Sequence, residues 1–181
     1  AAMAAGCSVI VKPASSTPYS ALALAELAER AGVPKGVLNV VTGRSSVVGG
    51  ALTENPKVRK LSFTGSTEVA QIIHKALAKN AGADAVLIAE TGGQNCMIVD
   101  STALPEQVVR DVVTSGFQSA GQRCSALRVL FLQEDIADKV IEMIIGAMRE
   151  LRIGDPAALS TDIGPVIDER ARQSLVDHVR Y

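Results

Sequence analysis

The chain has 181 residues, and 18 Lys and Arg against 19 Asp and Glu leave a formal charge of -1, which excludes a basic nucleic-acid surface as its main feature. Hydrophobic residues make up 48% and aromatics only 3%, with no Trp, so a core must be built from Ala, Val, Leu and Ile. No apolar run approaches the roughly 20 residues of a membrane span. Three cysteines (Cys7, Cys96, Cys124) and two distant histidines (His74, His178) suit neither a disulfide framework nor a zinc site, and point to a reducing, cytoplasmic setting.

Residues 1–6 read as the end of a helix closed by Gly6, and a helical spacing of Ala171, Leu175, Val176 and Val179 runs on to Tyr181. The chain therefore reads as an internal piece of a longer protein. A short strand is predicted at 9–11, ending in Lys12-Pro13. Thr17 is expected to cap a helix that has Pro18 at its first position and stops at Gly32. Strands follow at 37–41, 58–63 and 85–89, with a short helix at 47–54 and a longer one from the Thr64-Gly65-Ser66-Thr67 turn to about Lys79. Strand and helix alternate at short spacing, the pattern of a parallel α/β sheet covered by helices.

After Gly93 the rhythm continues with strands at 97–99 and 127–132. A helix from Pro105 to about Ala120 separates them. An amphipathic helix at 136–151 should bury Ile136, Val140, Met143, Ile144, Ala147, Met148 and Leu151, and a Gly/Pro/Asp-rich loop follows. The domain boundary is placed near Gly93, dividing residues 1–92 from 93–181.

Several residues carry chemistry at these junctions. Gly65 and Ser66 stand between a strand and a helix, where unpartnered N–H groups favour an anion; the alternative is an ordinary helix cap by Ser66 or Thr64. The Gly43–Gly49 segment lacks the dinucleotide fingerprint and the P-loop pattern and reads as a turn. Lys12 ends a strand, where it could meet ribose hydroxyls or a phosphate, or simply face solvent. Cys124, in Gly-Gln-Arg-Cys-Ser with Arg123 beside it, is the candidate nucleophile, whereas Cys7 and Cys96 are expected to be packed small hydrophobes. Glu90 closes an apolar strand, and partial desolvation on that rim would suit a general base; a solvated loop carboxylate is the alternative. Glu26, Glu68, His74 and His178 read as surface or interface groups.

Taken in order, Lys12-Pro13-Ala14-Ser15, Phe63-Thr64-Gly65-Ser66-Thr67, Glu90-Thr91-Gly92-Gly93 and Gly121-Gln122-Arg123-Cys124 resemble the aldehyde dehydrogenase superfamily. Up to about Glu68 the chain is similar to succinate-semialdehyde dehydrogenases. From about Ile88 it is similar to the pyrroline-5-carboxylate (glutamate semialdehyde) dehydrogenase module of proline-utilisation enzymes.

The resemblance implies a partial Rossmann-like NAD(P)-binding domain over 1–92 and the start of an α/β catalytic domain over 93–181. It further implies attack of Cys124 on an aldehyde, water activation by Glu90, adenosine-ribose contact by Lys12, pyrophosphate contact by Gly65 and Ser66, and substrate-carboxylate contact by Ser125. Ser15 replaces a glutamate common in NAD-using members, which admits NADP as well as NAD. The family's upstream oxyanion Asn and downstream nicotinamide-ribose Glu fall outside this chain, and losing one oxyanion donor costs roughly 2.7–4 kcal/mol, so the piece alone is expected to be inactive. The partner so implied is a small-molecule aldehyde, with no nucleic acid or membrane, and the parent is expected to be a homo-oligomer. Two other readings remain: a dinucleotide-binding module without catalysis, and a cysteine hydrolase pairing Cys124 with His74 or His178.

Overall fold

The computed structural model describes residues 1–80 and 85–181, and the chain divides into two compact units, Ala1–Thr91 and Gly92–Tyr181. In the first unit the elements run β1 (Val9–Val11), α1 (Tyr19–Arg30), β2 (Leu38–Val40), α2 (Ser45–Thr53), β3 (Lys60–Thr64), α3 (Thr67–Asn80) and β4 (Val86–Glu90). β1 pairs with β2 in parallel, Val9 opposite Leu38 and Val11 opposite Val40. β3 pairs with β4 in parallel, Lys60 opposite Val86 and Thr64 opposite Glu90. Each pair with its intervening helix makes a βαβ unit, so both strands of a pair finish at the same edge.

Helix α1 turns a stripe of half-buried alanines inward (Ala21, Ala25, Ala28), while Leu22, Leu24 and Leu27 stay exposed. Thr17 does not cap this helix. The N-cap is Pro18, without a side-chain hydrogen bond, and the Leu22 N–H donates to the Pro18 carbonyl. Helix α3 buries Ala70 and Leu77, seven residues apart and so on one face. The expected short helix at 47–54 begins two residues earlier, at Ser45.

The second unit runs β5 (Asn95–Val99), α4 (Pro105–Phe117), a 3-10 turn (Gln118–Gly121), β6 (Leu127–Leu132), α5 (Glu134–Glu150) and α6 (Glu169–Arg180). β5 and β6 are parallel. Their alternation sends Met97, Val99, Leu130 and Leu132 toward the helices, where Val99, Val108, Val112, Val140 and Ile144 form the core. The opposite face carries Cys96, Ile98, Val129 and Phe131, all exposed. On α5, Val140 and Ile144 are buried as expected, but Met148, one turn further along the same row, is exposed near the end of the helix. Asp168 caps α6 by accepting from the Ala171 N–H at 2.8 Å.

The expected helix to Ala120 ends earlier, at Phe117. Ser119 (φ 56°), Ala120 (φ 54°) and Gly121 (φ 67°) are consecutive left-handed residues. This conformation costs an L-residue roughly 1–2 kcal/mol. Glycine is required at the third position twice over, since a Cβ on Gly121 would also lie 2.9 Å from the Gly116 carbonyl oxygen.

Candidate active site

The first unit gathers polar groups at the carboxyl ends of its strands, where ligands of parallel α/β sheets collect. Lys12, half-buried just past β1, donates from Nζ to Ser45 Oγ at 2.8 Å. Ser45 opens α2, and sequence reading overlooked it because the Gly43–Gly49 segment registered only as a turn. Ser15 lies in the exposed loop beyond Lys12.

At the other strand pair, the Gly65 N–H donates to the Glu90 carbonyl at 3.1 Å, which brings these two predicted site residues side by side. Ser66 Oγ accepts from the Val69 N–H at 3.3 Å, so Ser66 caps α3. The open side of Gly65 is filled by the Phe63 ring, with which a Cβ would collide. Glu68 sits in the first turn of α3, its carboxyl held below the usual carboxylate range by its own backbone N–H and by the Ser66 hydroxyl. A carboxylate thus already occupies the positive end of the helix. The Glu90 side chain is exposed rather than partly desolvated, because β4 leaves its last residues uncovered.

In the second unit, Cys124 and Ser125 form an exposed turn closed by the Ala126 N–H, which donates to the Arg123 carbonyl at 3.1 Å. Three polar side chains brace it. Asn95 Nδ2 donates to the carbonyls of Cys124 (2.7 Å) and Ala126 (3.0 Å). Arg128 donates to the carbonyls of Gly121 (2.8 Å) and Arg123 (3.4 Å). Gln122 donates to the Ser119 and Pro165 carbonyls and accepts from the Ile167 N–H at 2.7 Å, tying the turn to the loop before α6. Sequence reading missed Asn95, Gln122 and Arg128 as braces. The nearness of Gln122 and Arg128 to the cysteine in the chain hinted at those two, but nothing in the sequence hinted at Asn95, which lies 29 residues away.

Cys7 and Cys96 are exposed, contrary to expectation. Cys7 follows the turn at residues 1–6, and Cys96 lies on the exposed face of β5 with Ile98. His178 is exposed in the last turn of α6, and His74 is exposed on α3. Among the described residues no group of three or more His, Cys, Asp or Glu side chains is gathered to hold a metal, and no helix is long and apolar enough to cross a membrane. Shallow concavities on the outer faces of α5 and α6 are lined by residues of those helices alone and do not include Cys124.

Fold and site thus define an α/β protein with a polar strand-end rim in one unit and a braced, exposed thiol turn in the other. The chain belongs to the aldehyde dehydrogenase family, whose model matches residues 1–181. It is 53% identical over 183 residues to the bifunctional protein PutA of Klebsiella aerogenes, covering 99% of this chain and 14% of that protein. It is 46% identical over 178 residues to the succinate-semialdehyde dehydrogenase [NADP(+)] GabD of Escherichia coli, covering 98% of this chain and 36% of that one. A crystal structure of a point mutant of Bradyrhizobium japonicum proline utilization A (PutA) superposes with a TM-score of 0.89 at 56% identity, covering 99% of this chain and 18% of that chain. The chain therefore spans well under two thirds of the relatives it matches, and both likenesses run over nearly its whole length.

Proposed function

We propose that this chain supplies part of the cofactor domain (residues 1–92) and the start of the catalytic domain (93–181) of an NAD(P)-dependent aldehyde dehydrogenase. The observation that carries the reading is the exposed Cys124 turn, held by Asn95, Arg128 and Gln122. Cys124 attacks the aldehyde carbon as a thiolate and forms a tetrahedral thiohemiacetal, with the Cys124 N–H beside the developing oxyanion. Loss of hydride from this adduct leaves a thioester. Glu90 takes a proton from the water that hydrolyses it, releasing a carboxylic acid and the free thiol.

The dinucleotide, when bound, supplies the hydride acceptor. The residues present fit one in part. Lys12 with Ser45 offers donors for a ribose, and the amino end of α3 at Ser66 suits a pyrophosphate, although the Glu68 carboxylate opposes that anion. Ser15 puts no carboxylate where it would repel a 2′-phosphate, so NADP is accepted as well as NAD, in keeping with the GabD name. We favour glutamate semialdehyde as substrate, oxidised to glutamate, with Ser125 meeting its α-carboxylate. The PutA likeness, higher in identity than that to GabD, supports this choice. The second reading is succinate semialdehyde. The parent is taken to be a cytoplasmic homo-oligomer.

In the full-length protein, Cys124→Ser should lower aldehyde oxidation by about a thousandfold or more, the scale of losing a covalent nucleophile. Near-normal turnover would remove Cys124 from the mechanism. Comparing kcat/KM for glutamate semialdehyde and succinate semialdehyde decides between the substrates, and a preference for the latter moves the assignment to the GabD type.

A further inference from the structure

We propose that Asn95 is a positioning residue that sets the peptide plane after Cys124 and so aims the Ser125 N–H at the reacting centre. The proposal rests on the reading of Cys124 as nucleophile and goes beyond it by naming what orients the turn. The peptide group is planar, so its C=O and the N–H of the following residue point in opposite directions. Fixing one fixes the other. The Arg123 carbonyl accepts from the Ala126 N–H and from Arg128, which directs the Cys124 N–H away from those donors. The Cys124 carbonyl accepts from Asn95 at 2.7 Å, which directs the Ser125 N–H away from Asn95. Among the described residues of this unit, neither the Cys124 nor the Ser125 N–H has an acceptor.

The strand pairing explains why Asn95 reaches the turn. Asn95 stands opposite Leu127, but Cys96 already stands opposite Val129, so Arg128 is an extra residue on β6. Such a bulge re-aims side chains, and here Arg128 turns back onto Gly121 and Arg123 while Asn95 clasps the carbonyls on either side of Ser125. Both Asn95 contacts are to carbonyl oxygens, so only the NH2 of the amide can face them. Ala126, at the far end of the clasp, is 1% exposed, and the next residue, Leu127, packs against the core cluster, which anchors the turn.

The test uses the full-length protein with Asn95→Ala and Asn95→Asp. Turnover is measured together with the rate of Cys124 alkylation by iodoacetamide, followed by peptide mass spectrometry with Cys7 of the other unit as internal reference. Asn95→Ala should lower kcat about tenfold while KM for the dinucleotide stays within about twofold, and should slow Cys124 alkylation relative to Cys7 about threefold at every pH. Asn95→Asp should be as slow near pH 8, where a carboxylate faces two carbonyls. It should recover toward the wild-type rate as pH falls through about 6 to 4, where the protonated acid can donate to one of them again. A merely structural role would not give a defect that is reversed by protonation in one variant alone, and this recovery still decides the matter if Asn95→Ala fails to fold. Rates within twofold of wild type for both variants at all pH values, with Cys124→Ser inactive, would overturn the positioning role and leave the nucleophile standing. An active Cys124→Ser would overturn both.

Discussion

The two units place their polar groups at opposite ends of their strands. In the first, Lys12, Gly65 and Glu90 stand at the carboxyl edge of parallel pairs, while in the second, Asn95 and the Cys124 turn stand at the amino edge of β5 and β6. The supports differ as well. Among the described residues, the first unit buries only Thr53, Ala70 and Leu77, whereas the second stacks Val99, Val108, Val112, Val140 and Ile144 into one cluster beside its turn. On the proposed reading, a rim completed by a dinucleotide tolerates thin packing, whereas a nucleophile that must hold its own geometry before substrate arrives gains from a core and a clasp.

The contrast is broken most forcefully from inside the second core. Val140→Asp would bury an unpaired carboxylate at a position with no exposure and should cost about 3–5 kcal/mol, read as loss of hydrogen-exchange protection in the second unit alone. Leu77→Ala in the first unit should cost about 2 kcal/mol, the low end for such truncations, because thinly packed surroundings can collapse. A loss above about 4 kcal/mol would mean the first unit is packed as tightly as the second.

Ala120→Gly should stabilise the second unit by up to about 1 kcal/mol in urea titration, since glycine accepts the left-handed conformation without a Cβ penalty. Glu68→Gln sharpens the comparison from the other side. Removing the carboxylate at the amino end of α3 should tighten dinucleotide binding about two- to fivefold by calorimetry.

The smallest effect is acid sensitivity. Asp100 is held below the usual carboxylate range by the Thr102 hydroxyl and then the Thr102 N–H, and Glu169 by Arg172. A lowered folded-state pKa contributes stability that is present above the unfolded value and lost as pH falls through the folded one. Stability should therefore decline slightly below about pH 4, and Asp100→Asn should flatten that decline.

Much of the element order was legible because period and turn chemistry are local. The strand expected at 127–132 is β6 residue for residue, and Pro105 marks the first residue of α4. What escaped depends on side-chain partners, covering layers and exact cap positions that a periodic pattern does not record. The Gln-Ser-Ala-Gly run contains nothing that forbids helix before its glycine, yet Ser119 and Ala120 turn left-handed, and the carbonyls of Ser119 and Gly121 are held by Gln122 and Arg128. Cys96 lies in an apolar strand and reads as buried, but alternation says only which side chains share a face, not whether anything lies over it. Thr17 has the chemistry of a cap, but it precedes the actual N-cap, Pro18, by one residue. The candidate residues were legible as strand-end and turn positions, and the structure places Lys12, Gly65, Glu90 and Cys124 at such positions. The clasp by Asn95 was not legible, since it needs a shift in strand pairing that no periodicity records.

The left-handed stretch at Ser119 and Ala120 also singles out two positions where a mirror-image building block would fit better than a natural one. Chemical ligation joins peptides at a cysteine, and Cys124 lies only a few residues downstream. A semisynthetic chain with D-alanine in place of Ala120 would relax the turn without the extra unfolded-state freedom that glycine brings. Its melting behaviour beside that of Ala120→Gly would separate conformational strain from chain entropy at this turn.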